Sequence, residues 1–378
     1  YYAMQAEELQ SMHRRGELGA ALVLLDQDED DYRSSLRYSM STGRWVLAGR
    51  LVSGLGYLWY AGGLHREGLQ WCRELFEAAP ELPDDVRAGA LHSFGGCLSV
   101  SGFFDESIEA LEEQVVLRRK LGDPMRLMAA LNNLGSVMND VGDYVSSDPV
   151  LREAVELAQD VGHSSALMLA SLAVGHLHHG ELTEAESLYR EALREAKAYD
   201  DVYAIAVSMG GLGQTLAWSG QTESARVQLV EARERYEELK VMPGLAEVDF
   251  AVAIVERTDG RPNEAASRLL ACLSAPGGYW YDATELWIFQ LTASIIDDLP
   301  TAAVLLGAAI AGYERSSRPQ PEVIRSDLER TRERLSGALG LEESARHLRT
   351  GERRTRSEAR DLALDALATF VNRSPTSG

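Results

Sequence analysis

Glycine recurs along this chain on a nearly fixed pitch. Gly63, Gly102, Gly142, Gly180, Gly220 and Gly260 are separated by 39, 40, 38, 40 and 40 residues. A repeat of this length is too small to bury a core alone, so its copies must stack and complete one another. Other positions keep the same register. Five residues after each glycine stands a small residue: Gly68, Ser107, Ser147, Ala185, Ala225 and Ala265. Seven before it stands another: Gly56, Gly95, Gly135, Ala173, Gly213 and Ala253. The residue eight before is always apolar: Leu55, Phe94, Leu134, Leu172, Leu212 and Val252. A helical hairpin explains all three rules. The glycine ends the first helix in a left-handed conformation that costs it least. The small residues let the paired helices approach, and the apolar residue fills the space between neighbours. A looser seventh unit places Asp297 at the turn and Ala302 at the small position.

This register resembles the tetratricopeptide repeat (TPR), with Leu-Gly in the first helix and Ala in the second. That repeat has about 34 residues, whereas this one has about 40. The resemblance implies an all-α, right-handed TPR-like superhelical solenoid of about seven hairpins, followed by C-terminal capping helices. Helix ends are expected near Gly102, Gly142, Gly180, Gly220 and Gly260.

Composition narrows the function. The 378 residues carry 37 basic and 58 acidic side chains, a formal net charge of −21. Such a body repels phosphate backbones, so no direct contact with nucleic acid is expected from this region. Cys72, Cys97 and Cys272 are scattered and odd in number, which suits a reducing cytoplasm. The opening "YYAMQAEELQ" has no basic or apolar leader region. The longest apolar run, "AAVLLGAAIAGY", is too short to span a bilayer, so no membrane partner is expected. No phosphate-binding loop, nucleophile elbow or His-Glu-x-x-His motif occurs, so the chain is read as a non-enzyme without a cofactor of its own.

The stretch "HLHHGEL" gathers His176, His178 and His179. His176 and His179 share a helical face, a spacing that zinc sites use. In the other units, however, the position of His176 holds Trp59, Leu98, Met138, Leu216 or Glu256. It is a packing position filled once by histidine. A packed or surface cluster is therefore the reading, with a metal site or a pH sensor as sharper alternatives. Trp280, Tyr281 and Trp287 form the densest aromatic cluster, either core or ligand wall.

A solenoid of this kind binds through the concave face lined by its first helices. The register places Ser53, Tyr57, Tyr60, His92, Asn132, Asn139, Asp140, His178, Gln214, Trp218, Arg257 and Trp287 on that face. This mixed aromatic and polar wall suits a protein partner, a peptide or a small-molecule effector. It lacks the lysines and clustered arginines of a clamp for acidic C-terminal peptides. Alternatively, these side chains line a solvated or self-filled groove.

The two ends carry a second resemblance. "LDQDEDDYRSSLRYSMSTGRWVLAGRL" resembles the junction of bacterial STAND-type regulators, the large ATPases related to LuxR-type and AfsR-like activators. There the pattern is roughly L-x-x-E-x-D-N-x-R-x-A-L-x-W. Leu25, Asp30, Arg33 and Leu36 match it, while Asp28, Asp31, Ser35 and Tyr38 depart. "YYAMQAEEL" resembles the preceding helix. "AAVLLGAAIAGYERSSRPQPEVIRSDLERTRERLSGALG" and "RTRSEARDLALDAL" resemble the last repeat and closing helices. The resemblance implies a junction at 1–44, repeats at 45–318, a helical cap at 319–372 and a tail at 373–378. It further implies a sensor or autoinhibitory arm whose partner is an ATPase module of the same polypeptide, outside this chain. A stand-alone TPR scaffold or peptide receptor is the alternative. Arg346, Arg349, Arg353, Arg354, Arg356 and Arg360 form a basic stripe, expected as a solvated, salt-bridged helix face, with a contact for DNA or an acidic partner as the alternative.

Overall fold

A computed structural model describes residues 1–14, 18–239, 241–274, 282–316 and 320–373. Among the described residues all regular structure is helical, with no strand. Three helices come first: α1 (Tyr2–Arg14), α2 (Leu18–Gln27) and α3 (Glu29–Ser41). Seven hairpins follow. They are α4 (Trp45–Ala61) with α5 (His65–Ala78), α6 (Asp84–Val100) with α7 (Phe104–Leu121), and α8 (Pro124–Asp140) with α9 (Tyr144–Asp160). Next come α10 (Ala166–His178) with α11 (Leu182–Ala198), α12 (Val202–Trp218) with α13 (Thr222–Leu239), α14 (Met242–Thr258) with α15 (Pro262–Ser274), and α16 (Asp282–Ile295) with α17 (Leu299–Ser316). The chain closes with α18 (Glu322–Leu339), α19 (Leu341–Glu352) and α20 (Arg356–Arg373).

Each of the six periodic glycines sits just past a first helix, with φ between 74° and 85°. The N–H after the glycine donates to the carbonyl five residues back. The pairs are Leu64 to Trp59, Phe103 to Leu98, Asp143 to Met138, Glu181 to His176, Gln221 to Leu216 and Arg261 to Glu256, at 2.6–2.9 Å. This is the Schellman closure, which satisfies a carbonyl that the ending helix would otherwise orphan. The left-handed backbone costs a residue with a Cβ about 1–2 kcal/mol. The seventh turn is built differently. Asp297 does not take a positive φ. Instead, the Asp298 carboxylate accepts from the Thr301 N–H at 3.2 Å and its hydroxyl at 2.8 Å, an N-cap that starts α17.

The small positions meet between paired helices. The hydroxyls of Ser107 and Ser147 donate to the carbonyls of Gly95 and Gly135 at 2.8 and 3.0 Å. A methyl on Gly95 would come within 2.7 Å of Leu111, and one on Gly135 within 2.5 Å of Leu151. Ala185, Ala225 and Ala265 are fully buried in the later hairpins. Leu55, Leu134, Leu172 and Leu212 are core residues, whereas Phe94 and Val252 are half-buried.

The chain divides into two compact units. The first comprises residues 1–172, 195–203 and 238–241. Here Arg50 pins α4 to Glu7 of α1, and Arg33 of α3 grips Glu67 of α5 through two 2.7 Å bonds. Leu111, Val115, Leu131, Leu134, Ala154 and Ala158 form a core between α7, α8 and α9. The second unit comprises residues 173–194, 204–237 and 242–378. Its most intimate contact joins α17 to α19. A methyl on Gly307 would strike the Leu348 carbonyl, and one on Gly351 that of Val304. The apolar run of α17 is thus a core helix. No described helix is long and apolar enough to cross a membrane.

Candidate ligand-binding walls

The first helices of the first unit carry Ser53 and Tyr57 on α4, His92 on α6, and Asn132, Asn139 and Asp140 on α8. Tyr57 bonds to Tyr203, and burial pushes its hydroxyl up to about 12. The Asn133 amide donates to His92 Nδ1 at 2.9 Å, which makes Nδ1 the acceptor. The proton of a neutral ring then sits on Nε2, an assignment inferred from the network. Asn139 is almost wholly buried, and its amide donates to the Ser171 carbonyl at 2.8 Å. Ser136 reaches the Ser171 hydroxyl at 3.2 Å. Asn139 and Ser136 thus tie α8 to α10. Asn132 keeps a sealed carbonyl oxygen without a hydrogen-bond partner, and Asp140 is half-buried. The side chain of Tyr60 lies outside the described residues.

One residue of this region escaped the sequence reading. Arg118 comes from α7, a second helix, and is only 5% exposed. Its Nε is sealed without a partner, and no carboxylate among the described residues pairs with it. Desolvation lowers its pKa, and the Arg126 charge adds to this, while Asp123 and Asp85 act in the opposite direction. The guanidinium passes α6 at Gly89, opposite Ser53 of α4. Both Gln114 and Arg118 interrupt the apolar spacing of α7 one helical turn apart, which was the available sequence signal.

In the second unit, His178 meets the Trp287 ring edge-on at 5.7 Å, and Trp287 tilts against Phe250 at 5.6 Å. Arg257 is engaged within the chain: its Nη1 reaches both oxygens of Asp327 at 2.9 Å and the Ser294 hydroxyl at 3.0 Å. Asp327 lies on α18, whose Ile324 carbonyl accepts from Gln290 at 2.8 Å. Glu322, at the start of α18, stands against Gly180. Helix α18 therefore covers this part of the wall. Gln214 and Trp218 on α12 are half-buried. Trp280 and Tyr281 lie outside the described residues.

The histidine stretch forms a local polar cap. Glu181 receives His176 Nδ1 at 2.5 Å and His179 Nδ1 at 3.1 Å. The His176 bond, seconded by His179, holds the Glu181 carboxyl below its ordinary value despite some desolvation. Among the described residues no group of three or more His, Cys, Asp or Glu side chains is arranged to hold a metal. In the basic stripe, Arg356 and Arg360 both engage the buried Glu285, Arg360 also donates to the Leu273 carbonyl at 2.7 Å, and Arg346 pairs with Glu343.

No family model matches the chain. It is 26% identical over 239 residues to proteins of Mycobacterium bovis and Mycobacterium tuberculosis named "Putative HTH-type transcriptional regulator". The match covers 50% of this chain and 27% of those relatives, so the chain corresponds to about a quarter of their length. Among solved structures, a Rap protein complexed with competence and sporulation factor superposes with a TM-score of 0.63 at 13% identity. That superposition covers 96% of this chain and 99% of the other. The apo form of RapI gives 0.52 at 15% identity, covering 95% and 97%. These likenesses concern the fold: the chain is an all-α protein of tandem TPR-like hairpins, an architecture shared with the Rap protein over nearly its whole length.

Proposed function

We propose that this chain is the ligand-sensing arm of a multidomain transcriptional regulator, and that a peptide or protein segment binds along its first-helix wall. The observation that carries the reading is the polar ladder of the first unit. His92 of α6 and Asn132 of α8 occupy the same register position on successive first helices, with imidazole and amide groups suited to an extended main chain. The Rap structure, solved with competence and sporulation factor, and the regulator names of the mycobacterial relatives support it. In this reading the repeats span 45–318, the helices after them cap the stack, and the signal passes to an ATPase module elsewhere in the polypeptide. A ligand shifts such a regulator only by preferring one arrangement of the hairpins over another. The wall recognises and does not catalyse.

The test is an array of short peptides of random sequence probed with the purified chain, with hits quantified by fluorescence anisotropy. His92→Ala with Asn132→Ala should keep the helical circular dichroism and weaken the hits at least tenfold. Wild type and double variant binding every hit equally would remove the wall from consideration.

A further inference from the structure

Arg118 is a cation placed where a cation is expensive. A charge taken out of water is costly unless a partner or strong hydrogen bonds compensate it. Here the residue is only 5% exposed, its Nε is sealed without an acceptor, and no carboxylate among the described residues pairs with it. Its neighbours are not idle carboxylates. Asp123 is committed to capping α8, accepting from the Arg126 N–H at 3.1 Å and pairing with the Arg126 side chain at 3.4 Å. Asp85 acts on Arg118 through its charge, without a hydrogen bond between them. One turn back on α7, Gln114 is 3% exposed and holds a sealed carbonyl oxygen without a donor. Glycine at position 89 admits the arginine: its missing Cβ would lie 3.9 Å from Arg118 Nη2 and 2.5 Å from the Ser53 hydroxyl. Gly89 lies one helical turn from His92 on α6, so the fork arrives beside the polar ladder.

We propose that Arg118 anchors a single carboxylate of the peptide bound along the first-unit wall, with Ser53 as a second donor to the same group. This rests on the peptide-binding reading above. The fork of a guanidinium matches a planar carboxylate in a two-bond arrangement. The site holds one cation without a carboxylate partner; the nearby Arg126 charge is already paired with Asp123, and Asp85 adds a further negative charge. A monoanion is therefore neutralised there, whereas a phosphate dianion meets excess negative charge on a chain of net charge −21.

The experiment compares wild type with Arg118→Met and Arg118→Lys in thermal unfolding, using sodium acetate, acetamide and sodium chloride at equal concentration as probes. Acetate should raise the wild-type midpoint by at least about 2 °C over the chloride control, because a ligand held only by the folded state stabilises it. Acetamide should not raise it, and Arg118→Met should lose the acetate effect. Arg118→Met without ligand should melt no lower than wild type, since an unpaired buried charge has been removed. If it fails to fold, Arg118→Lys serves, with the acetate shift falling by at least half. For peptides found on the array, the free acid or an Asp/Glu side chain should bind at least tenfold better than its amide, a preference lost in Arg118→Met. Equal acetate shifts in wild type and variants, or no acetate shift at all, overturn the proposal. Tight peptide binding without any carboxylate preference overturns it too, while leaving the peptide-binding reading standing.

Discussion

His176 and Glu181 are joined side chain to side chain across the turn made by Gly180, Nδ1 to Oε2 at 2.5 Å, while the Glu181 N–H also donates to the His176 carbonyl at 2.9 Å. In Schellman turns these two positions commonly touch through apolar side chains. Here the corresponding positions hold Trp59 and Leu64, Leu98 and Phe103, Met138 and Asp143, His176 and Glu181, Leu216 and Gln221, and Glu256 and Arg261, the last with an ion pair at 2.7 Å. The histidine cluster is thus a polar version of a contact that the repeat makes elsewhere by other means.

Accordingly, the purified chain should contain no stoichiometric zinc by elemental analysis. His176→Leu with Glu181→Phe, which reproduces the Leu98 and Phe103 pairing, should change unfolding stability by less than about 1 kcal/mol, the usual scale for a partly exposed pair. One zinc per chain, lost in that variant, would sink the capping assignment.

Ala225 is fully buried where α13 meets α12, facing Gly213 across the hairpin. Ala225→Leu should overpack this contact at a cost of about 1–3 kcal/mol in urea unfolding. Gly220→Ala should cost about 1–2 kcal/mol for a different reason, because a Cβ there meets nothing within 4 Å but the backbone holds φ at 76°. A neutral result at Ala225 would mean the register of the hairpin is misplaced.

Glu67 accepts Arg33 through two bonds and the Trp71 indole N–H at 3.2 Å. The Arg33 hydrogen bond is the main cause that holds its carboxyl below the ordinary 4.5, against partial desolvation. A depressed folded-state pKa means that the stabilisation is complete above about pH 4.5 and is lost as pH falls through the folded value. Glu67→Gln should therefore be less stable than wild type at pH 7, by about 0.5–1 kcal/mol after allowing for solvent screening. The gap should close progressively as the pH is lowered below 4.5. A constant gap from pH 7 to pH 3 would show that the carboxylate charge is irrelevant to the junction.

Asp327 is 4% exposed and pairs with Arg257 and Arg330. Asp327→Ala strands the Arg257 guanidinium against α18 and should destabilise the second unit by about 3 kcal/mol. Adding Arg257→Ala should recover part of that loss, read as a coupling in a double-mutant cycle. Additive losses would mean that the two residues act independently.

The hairpins were legible in the sequence because their rules are local. A glycine takes a left-handed turn wherever a helix must stop, and a small residue is demanded wherever two backbones close to within a side chain of each other. Gly102 and Ser107 obey these rules whatever surrounds the hairpin. The ends of several second helices follow a similar rule, at Gly122 with φ 67°, Gly162 with φ 68° and Asp200 with φ 53°, but aspartate in one of three places hides the period. The Asp297 turn, closed by a side-chain cap from Asp298, departs from the glycine rule for the same kind of reason.

The sequence by itself determined the repeat, the turn residues and the helical class, and offered one face of each first helix as a candidate wall. Only the tertiary structure decided what those faces meet. Arg257 is paired with Asp327 seventy residues on, and Tyr57 bonds to Tyr203. Arg118 enters from a second helix and is left without a partner. No spacing rule reaches these pairings, because they depend on how successive rigid hairpins are stacked. Small rotations between hairpins add along the array, so two side chains many hairpins apart meet or miss by the sum of many packing contacts rather than by any local pattern.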